Sequence, residues 1–176
     1  MTDVVITGGL YGANIGNQQF TMRNLVISNA VTAISQIWNW GWTYQGLSLS
    51  NCTTAISISN GGAGNQLVGS VNILDSTIQN CPTFVDTAWQ SSTLSTGSLI
   101  MENINLKNVP VAVNGVSGTV LAGSTGSTTI GAWGQGHKDR PTSKAPSLRP
   151  RARVLCLLVD RTGISPNPSL NMRNHQ

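Results

Sequence analysis

Phe20-Thr21-Met22-Arg23-Asn24-Leu25-Val26-Ile27-Ser28-Asn29-Ala30-Val31-Thr32-Ala33-Ile34-Ser35 is a pattern that the chain writes out three more times. Trp42 to Ser57, Val71 to Asp86 and Leu99 to Asn114 align beneath it without a gap, at offsets of 22, 29 and 28 residues. One column then reads Asn29, Asn51, Asn80, Asn108, and the next Ala30, Cys52, Cys81, Val109. Other columns are apolar: Met22, Tyr44, Ile73, Met101; Ile27, Leu49, Ile78, Leu106; Ile34, Ile56, Val85, Val113. The column of Leu25 keeps Leu47 and Ile104 but has Ser76. A repeat of about 20–30 residues is the mark of a solenoid. Pairs such as Leu25 and Ile27, or Leu47 and Leu49, have the two-residue period of a strand. No stretch sustains a helical period. The expected fold is therefore all-β: a parallel β-helix of about four to five coils, successive coils pairing at about 4.8 Å. Asn tolerates the left-handed turns such a stack needs. Stacked amides can bond one another, so the Asn column is expected as a buried ladder.

Charged residues are only 9% of the chain's 176, and Ser, Thr, Asn and Gly take their place. The formal net charge of +4 is unevenly spread. Up to Gly136 there are four acidic residues (Asp3, Asp75, Asp86, Glu102) against two basic ones (Arg23, Lys107). After it come eight basic and two acidic. Nucleic-acid binding would thus rest on the tail alone, and no nucleic-acid partner is expected. No apolar run approaches the roughly 18 residues of a membrane span, and Met1 to Ile6 lacks the features of a secretory signal. The expected division is a β-helical portion over 1–136 and a basic, Pro-rich, poorly ordered tail over 137–176. Within the first portion, Ser124 to Thr129 reads as low-complexity sequence beyond a short strand at Gly118 to Ala122. The β-helix would begin in mid-stack, without a polar cap ahead of Phe20.

Cys52 and Cys81 share a column, which allows a disulfide between neighbouring coils or two stacked buried thiols; the thiols are the expectation. No residues have the spacing of a metal site, and no cofactor is expected. Trp38, Trp40 and Trp42 alternate, so an extended segment puts all three indoles on one side. Trp42 shares a column with Phe20 and is expected in the core. Trp38 and Trp40 have no apolar counterparts in the other copies, and indole faces suit stacking on sugar rings. Gln18, Gln19 and Gln36 flank them with carboxamides that can bond hydroxyls. Asp75 and Glu102 lie one column apart in adjacent copies, but each reads more simply as a surface charge than as half of a glycosidase carboxylate pair. Asn51-Cys52-Thr53 is a formal N-glycosylation sequon. As a member of the ladder, Asn51 is expected to be buried and unmodified.

Gly16-Asn17-Gln18-Gln19-Phe20-Thr21-Met22-Arg23-Asn24-Leu25, then Asn29 to Ile34 and Gln36-Ile37-Trp38-Asn39-Trp40-Gly41-Trp42, resembles the fungal exo-β-1,3-glucanases of glycoside hydrolase family 55. The likeness runs from about Asp3 to Trp133-Gly134-Gln135-Gly136. It implies the single-stranded right-handed parallel β-helix of the pectate-lyase superfamily. It also implies inverting release of glucose from β-1,3-glucan of the laminarin type by an extracellular enzyme with two β-helical halves. On this resemblance the chain matches later coils of the N-terminal half. Gln18, Gln36, Trp38 and Trp40 would bind substrate, and the catalytic Glu would belong to a C-terminal half with no counterpart here. The tail departs from the family after Gly136, which suggests a shifted frame or unspliced sequence. The alternatives are a non-catalytic carbohydrate-binding β-helix and, lower, a pectate-lyase-type enzyme, which would need acidic clusters.

Overall fold

A computed structural model describes residues 1–58, 67–88, 97–136 and 157–158. The expected tail and Trp89 fall almost wholly outside these residues. The described chain is all-β and mainly parallel.

Two parallel ladders carry the architecture. In the first, β1 (Thr2–Thr7) pairs with β3 (Gln19–Ser28). β3 then pairs with the end of β4 (Thr32–Gln45) and with β5 (Ser48–Ser50). Both pair onward with β7 (Val68–Gln79), and β7 with the first half of β9 (Ser98–Gly115). In the second, β2 (Tyr11–Gly16) pairs with the start of β4. The same part of β4 pairs with β6 (Thr54–Ile58), then comes β8 (Thr83–Thr87), then the second half of β9. The register matches the repeat alignment: Ile27 faces Leu49, Leu49 faces Ile78, and Ile78 faces Leu106.

The bend between the ladders falls at the Asn column. Asn29, Asn51, Asn80 and Asn108 all have φ between 52° and 60°, the left-handed region that short amide side chains tolerate. Asn108 Nδ2 donates to Asn80 Oδ1 at 3.2 Å, and Asn80 Nδ2 to Asn51 Oδ1 at 3.0 Å. The amide ladder is therefore real, but it is exposed, not buried. Its side chains project outward from the bend, while the next residue in each copy (Ala30, Cys52, Cys81, Val109) turns inward.

A second left-handed column crosses the first ladder at Asp3, Asn24, Gly46, Asp75 and Asn103. It explains the break in alternation within each strand. Met22 points in, left-handed Asn24 shifts the phase, and Leu25 and Ile27 point in. Val71 and Ile73 precede Asp75 in the same way, with Ser76 and Ile78 following. Gly46 is required here, because a Cβ on it would lie 2.7 Å from Asn24 Oδ1.

The core is a set of stacked rows: Met22, Tyr44, Ile73, Met101; Ile27, Leu49, Ile78, Leu106; Ile34, Ile56, Val85, Val113. Each fully buried aliphatic side chain contributes about 1.5–3 kcal/mol. Ser76, the exception among its apolar neighbours, is fully buried. It donates to the Leu74 carbonyl at 2.7 Å and accepts from the Leu47 amide at 3.0 Å. A buried hydroxyl so paired does not carry the cost of an unsatisfied one.

β10 (Gly118–Gln135) runs antiparallel along the whole of β9, from Gly118 beside Gly115 to Gln135 beside Leu99. Trp133 closes the last rung and is buried. This differs from the expected short strand followed by low-complexity sequence. The register slips near Leu121 and between Ser124 and Ser127, and the small residues there face solvent, so no apolar period marks the strand. At the far end of β10, Trp133 and Gly134 pair with the two-residue β11 (Leu157–Leu158).

Candidate functional site

The first inter-copy loop is the continuation of β4, and the chain turns a corner within it. Gln36, Asn39, Trp42 and Tyr44 point in, and Trp40 points out, 63% exposed. Trp38 is half-buried. The three indoles therefore do not share a side: an inward Asn39 between them breaks the two-residue period. Asn39 Oδ1 accepts the Gly69 amide at 2.8 Å and ties this corner to the next copy. Gly69 packs so near that a Cβ would stand 2.5 Å from the Trp40 carbonyl.

The residues singled out in the sequence separate into two groups. Gln18 and Trp40 are brought together: the Trp40 amide donates to the Gln18 carbonyl at 2.7 Å, and both side chains are exposed. Trp38 lies over Gly16, where an added Cβ would come within 2.5 Å of the indole. Gln36 sits beneath them, fully buried. Its Nε2 donates to the Trp38 carbonyl at 3.0 Å and to the Ile15 carbonyl at 3.4 Å, and its Oε1 accepts from the Tyr44 hydroxyl. Burial pushes the Tyr44 phenol far above its ordinary range, so it stays a donor. Trp42 is in the core, stacked on Phe20 at 5.3 Å, and Phe20 remains 44% exposed because β1 begins opposite Arg23 and leaves its lower face uncovered.

A groove that sequence reading missed runs across the outer face of the second ladder. Its volume is about 680 Å³. Register places Asn14 beside Ser35, Ser35 beside Ser57, Ser57 beside Asp86 and Asp86 beside Asn114, so five outward side chains form one row along it. Asn114 Nδ2 donates to Asp86 Oδ1 at 2.8 Å. Tyr11, Ile37, Ile58 and Val116 flank the row. Ile37 lies between Gln36 and Trp38, so the groove adjoins the Trp corner. The row was visible in the alignment as the polar residue after each Ile34-type position, with Asn14 added by the strand before the repeats.

Asp3, Asp75 and Asp86 each accept a hydrogen bond from a neighbouring side-chain amide. Asp75 Oδ1 accepts Asn103 Nδ2 at 2.8 Å and its Oδ2 accepts Gln45 Nε2 at 3.3 Å. These bonds, Asn103 first, hold its pKa below the ordinary 3.8. Asp3 is lowered likewise by Asn24 and then Thr2. Asp75 is thus tied to Asn103 by its side chain, and Glu102 faces Leu74 in the register. Among the described residues no group of three or more His, Cys, Asp or Glu stands where it would hold a metal ion, and no helix is long and apolar enough to cross a membrane. Cys52 and Cys81 are free, buried thiols whose Sγ atoms point at the Ser50 and Gln79 carbonyls. Burial pushes the Cys81 thiol up to about 11.

Comparison with known proteins follows the same lines. The family profile "Rhamnogalacturonase A/epimerase, pectate lyase-like" matches residues 1–57. A glucan 1,3-beta-glucosidase of Cochliobolus carbonum is 61% identical over 150 residues, 84% of this chain and 19% of that protein. A probable glucan endo-1,3-beta-glucosidase of Arthroderma benhamiae is 44% identical over 88% of this chain and 18% of its own length. A protein of Penicillium expansum named non-secreted LysM effector LysM19 is 35% identical over 77% of this chain and 11% of its own. The chain thus spans about a fifth or less of the curated relatives it matches. Over most of its length the chain is similar to a part of fungal glucan 1,3-beta-glucosidases, and over residues 1–57 to a pectate lyase-like profile.

Proposed function

We propose that this chain is the substrate-holding part of a β-1,3-glucan exo-hydrolase that inverts at the anomeric carbon. In this reading the two ladders are faces of a right-handed parallel β-helix of four to five coils over residues 1–136. Trp40 stacks on a glucosyl ring, and Gln18 and Trp38 border it. Gln36 acts from beneath by fixing the Trp38 carbonyl. The general acid belongs to a second β-helical half, and the ligand is an extracellular, laminarin-type glucan.

The observation that carries the reading is the exposed Trp40 bonded through its backbone to Gln18, in a chain 61% identical to a glucan 1,3-beta-glucosidase. A large indole held 63% out of its own fold is free to cover the C–H face of a sugar. The adjoining row of amides and hydroxyls, with Asp86 as its one charge, suits a neutral hydroxylated chain better than a uronate, which that carboxylate would repel. This disfavours a pectate-type substrate. Asp75 and Asp86, each bonded to a neighbouring side-chain amide, suit holding a substrate more than turning it over, which is also what a non-catalytic glucan-binding module would do.

Affinity electrophoresis of the full chain in laminarin tests the reading. Retardation is expected, and its loss in Trp40→Ala, with a weaker loss in Trp38→Ala. Equal mobility of wild type and Trp40→Ala would remove the indole from the site. Steady glucose release by the purified chain would overturn the assignment of the acid to another half.

A further inference from the structure

We infer that Asn51 is an acceptor for an N-linked glycan. Asn51-Cys52-Thr53 is the sole Asn-x-Ser/Thr sequence with a non-proline middle residue in the chain. Asn51 and Thr53 are both exposed, whereas Cys52 between them points into the core. The hydrogen-bonded ladder has a direction: each Nδ2 donates to the Oδ1 of the preceding copy, Asn108 to Asn80 and Asn80 to Asn51. There it stops. Asn29 turns aside, its Nδ2 reaching the Ser28 hydroxyl at 3.5 Å. Asn51 Nδ2 has no partner among the described residues, so a substituent on that nitrogen breaks no rung, and the Oδ1 that Asn80 needs survives in the glycosylated amide. The one ladder amide with an unused nitrogen is thus the one inside a sequon.

The chemistry requires a lipid-pyrophosphate-linked oligosaccharide and the transferase that uses it. The Nδ2–anomeric carbon bond forms, the anomeric carbon–phosphate oxygen bond breaks, the amide proton goes to a base of the transferase, and the lipid pyrophosphate leaves. No oxidation is involved.

Entry into the secretory lumen is needed, and supplying it by a leader keeps the test independent of any glucan activity. The full chain is translated behind a secretory leader with microsomes and treated with an endoglycosidase that removes N-glycans. A protected product larger by one glycan is expected, collapsing on digestion and absent from Asn51→Gln and Thr53→Ala. Gly62→Thr, which creates a sequon at Asn60, controls for translocation. If that control is modified and Asn51 is not, the inference is wrong. A second variant tests the structural reason. Pro82→Thr creates a sequon at Asn80, whose Nδ2 is in use. After expression through yeast secretion, the product glycosylated at Asn80 should melt below the same variant made without a glycan in bacteria, whereas the product glycosylated at Asn51 should not melt below its own unglycosylated counterpart. The same loss at both positions would remove the argument from the free amide.

Discussion

Asn80 offers the sharpest test of the stacking, because two separable effects meet there. Its φ of 52° is left-handed, and it both donates to Asn51 and accepts from Asn108. Asn80→Ala loses both exposed bonds, about 0.5 kcal/mol each at the weak end of the usual range. It also places a Cβ without a compensating side chain in a conformation that costs about 1–2 kcal/mol. The sum is a loss of about 2–3 kcal/mol. Asn80→Gly loses the same bonds but not the steric cost, and it adds only about 0.5–1 kcal/mol of unfolded-chain entropy. Gly should therefore be the better tolerated residue. Thr77, exposed in β7 with ordinary strand geometry, supplies the reverse case. There Gly should be worse than Ala by about 0.5–1 kcal/mol. The measurement is urea unfolding of the full chain followed by tryptophan fluorescence, with midpoints compared at equal slope. A reversal of the Ala–Gly order between positions 80 and 77 is the expected signature. An Asn80→Ala as stable as Asn80→Gly would mean that the bend is not held in the left-handed region, and the ladder argument would fall with it.

Gln36→Leu should destabilise the chain by about 2–4 kcal/mol in the same assay, since it leaves the buried Tyr44 hydroxyl without its acceptor and removes the donor to the Trp38 carbonyl; it should also weaken laminarin retardation, and full retention of both would free Gln36 from the supporting role. In a Cys156→Ser background, Cys52 and Cys81 should resist a water-soluble disulfide reagent at pH 8 until urea unfolds the chain, because both are buried and the Cys81 thiol is held near 11; rapid native labelling would contradict this burial. Asp75 has a lowered folded pKa, so its contribution is present above the ordinary 3.8 and lost as pH falls through the folded value. Asp75→Asn should therefore flatten the stability loss below about pH 4, and an unchanged acid limb would show that the Asn103 and Gln45 bonds carry no preference for the ionised form.

Much of the fold was legible because repetition multiplies a weak signal. A single Asn is ambiguous, but four in register predict a bend, and the register of Ile27, Leu49, Ile78 and Leu106 follows from the same alignment. The second bend was equally present in the alignment as Asn24, Gly46, Asp75 and Asn103. It was harder to see because three residue types share one backbone requirement, a positive φ, and chemical identity hides conformational identity. Burial of the Asn ladder was misjudged for a geometric reason: a left-handed residue at a convex bend directs its side chain outward, so its amides pair with each other in solvent. β10 left no trace in the repeats, since an antiparallel strand closing a parallel stack obeys no copy-to-copy register. Its Ser, Thr and Gly residues face water, where β-propensity is a weak guide.

The site was less legible than the fold, and the division has a physical cause. In a register-matched stack, a column that stays uniform is doing the same structural task at every level, as the left-handed bends and the apolar rows do. A column that changes from level to level has no shared task, and whatever it carries is displayed at one height only. Trp40 is such a residue: its neighbours in the alignment are not aromatic, and it is held outward by an Asn39 that spends its own carbonyl oxygen on Gly69. The groove row shows the intermediate case. Asn14, Ser35, Ser57, Asp86 and Asn114 differ in identity yet stay polar, so register converts scattered residues into a straight array of hydrogen-bonding groups with the spacing of strands, about 4.8 Å. A linear polymer with a hydroxyl-bearing unit of similar length can meet such an array repeatedly without any one contact being strong. The aromatic corner at Trp40 would then set where on the polymer the array takes hold. That order of roles makes loss of Trp40 more damaging to glucan retention than loss of any single member of the row.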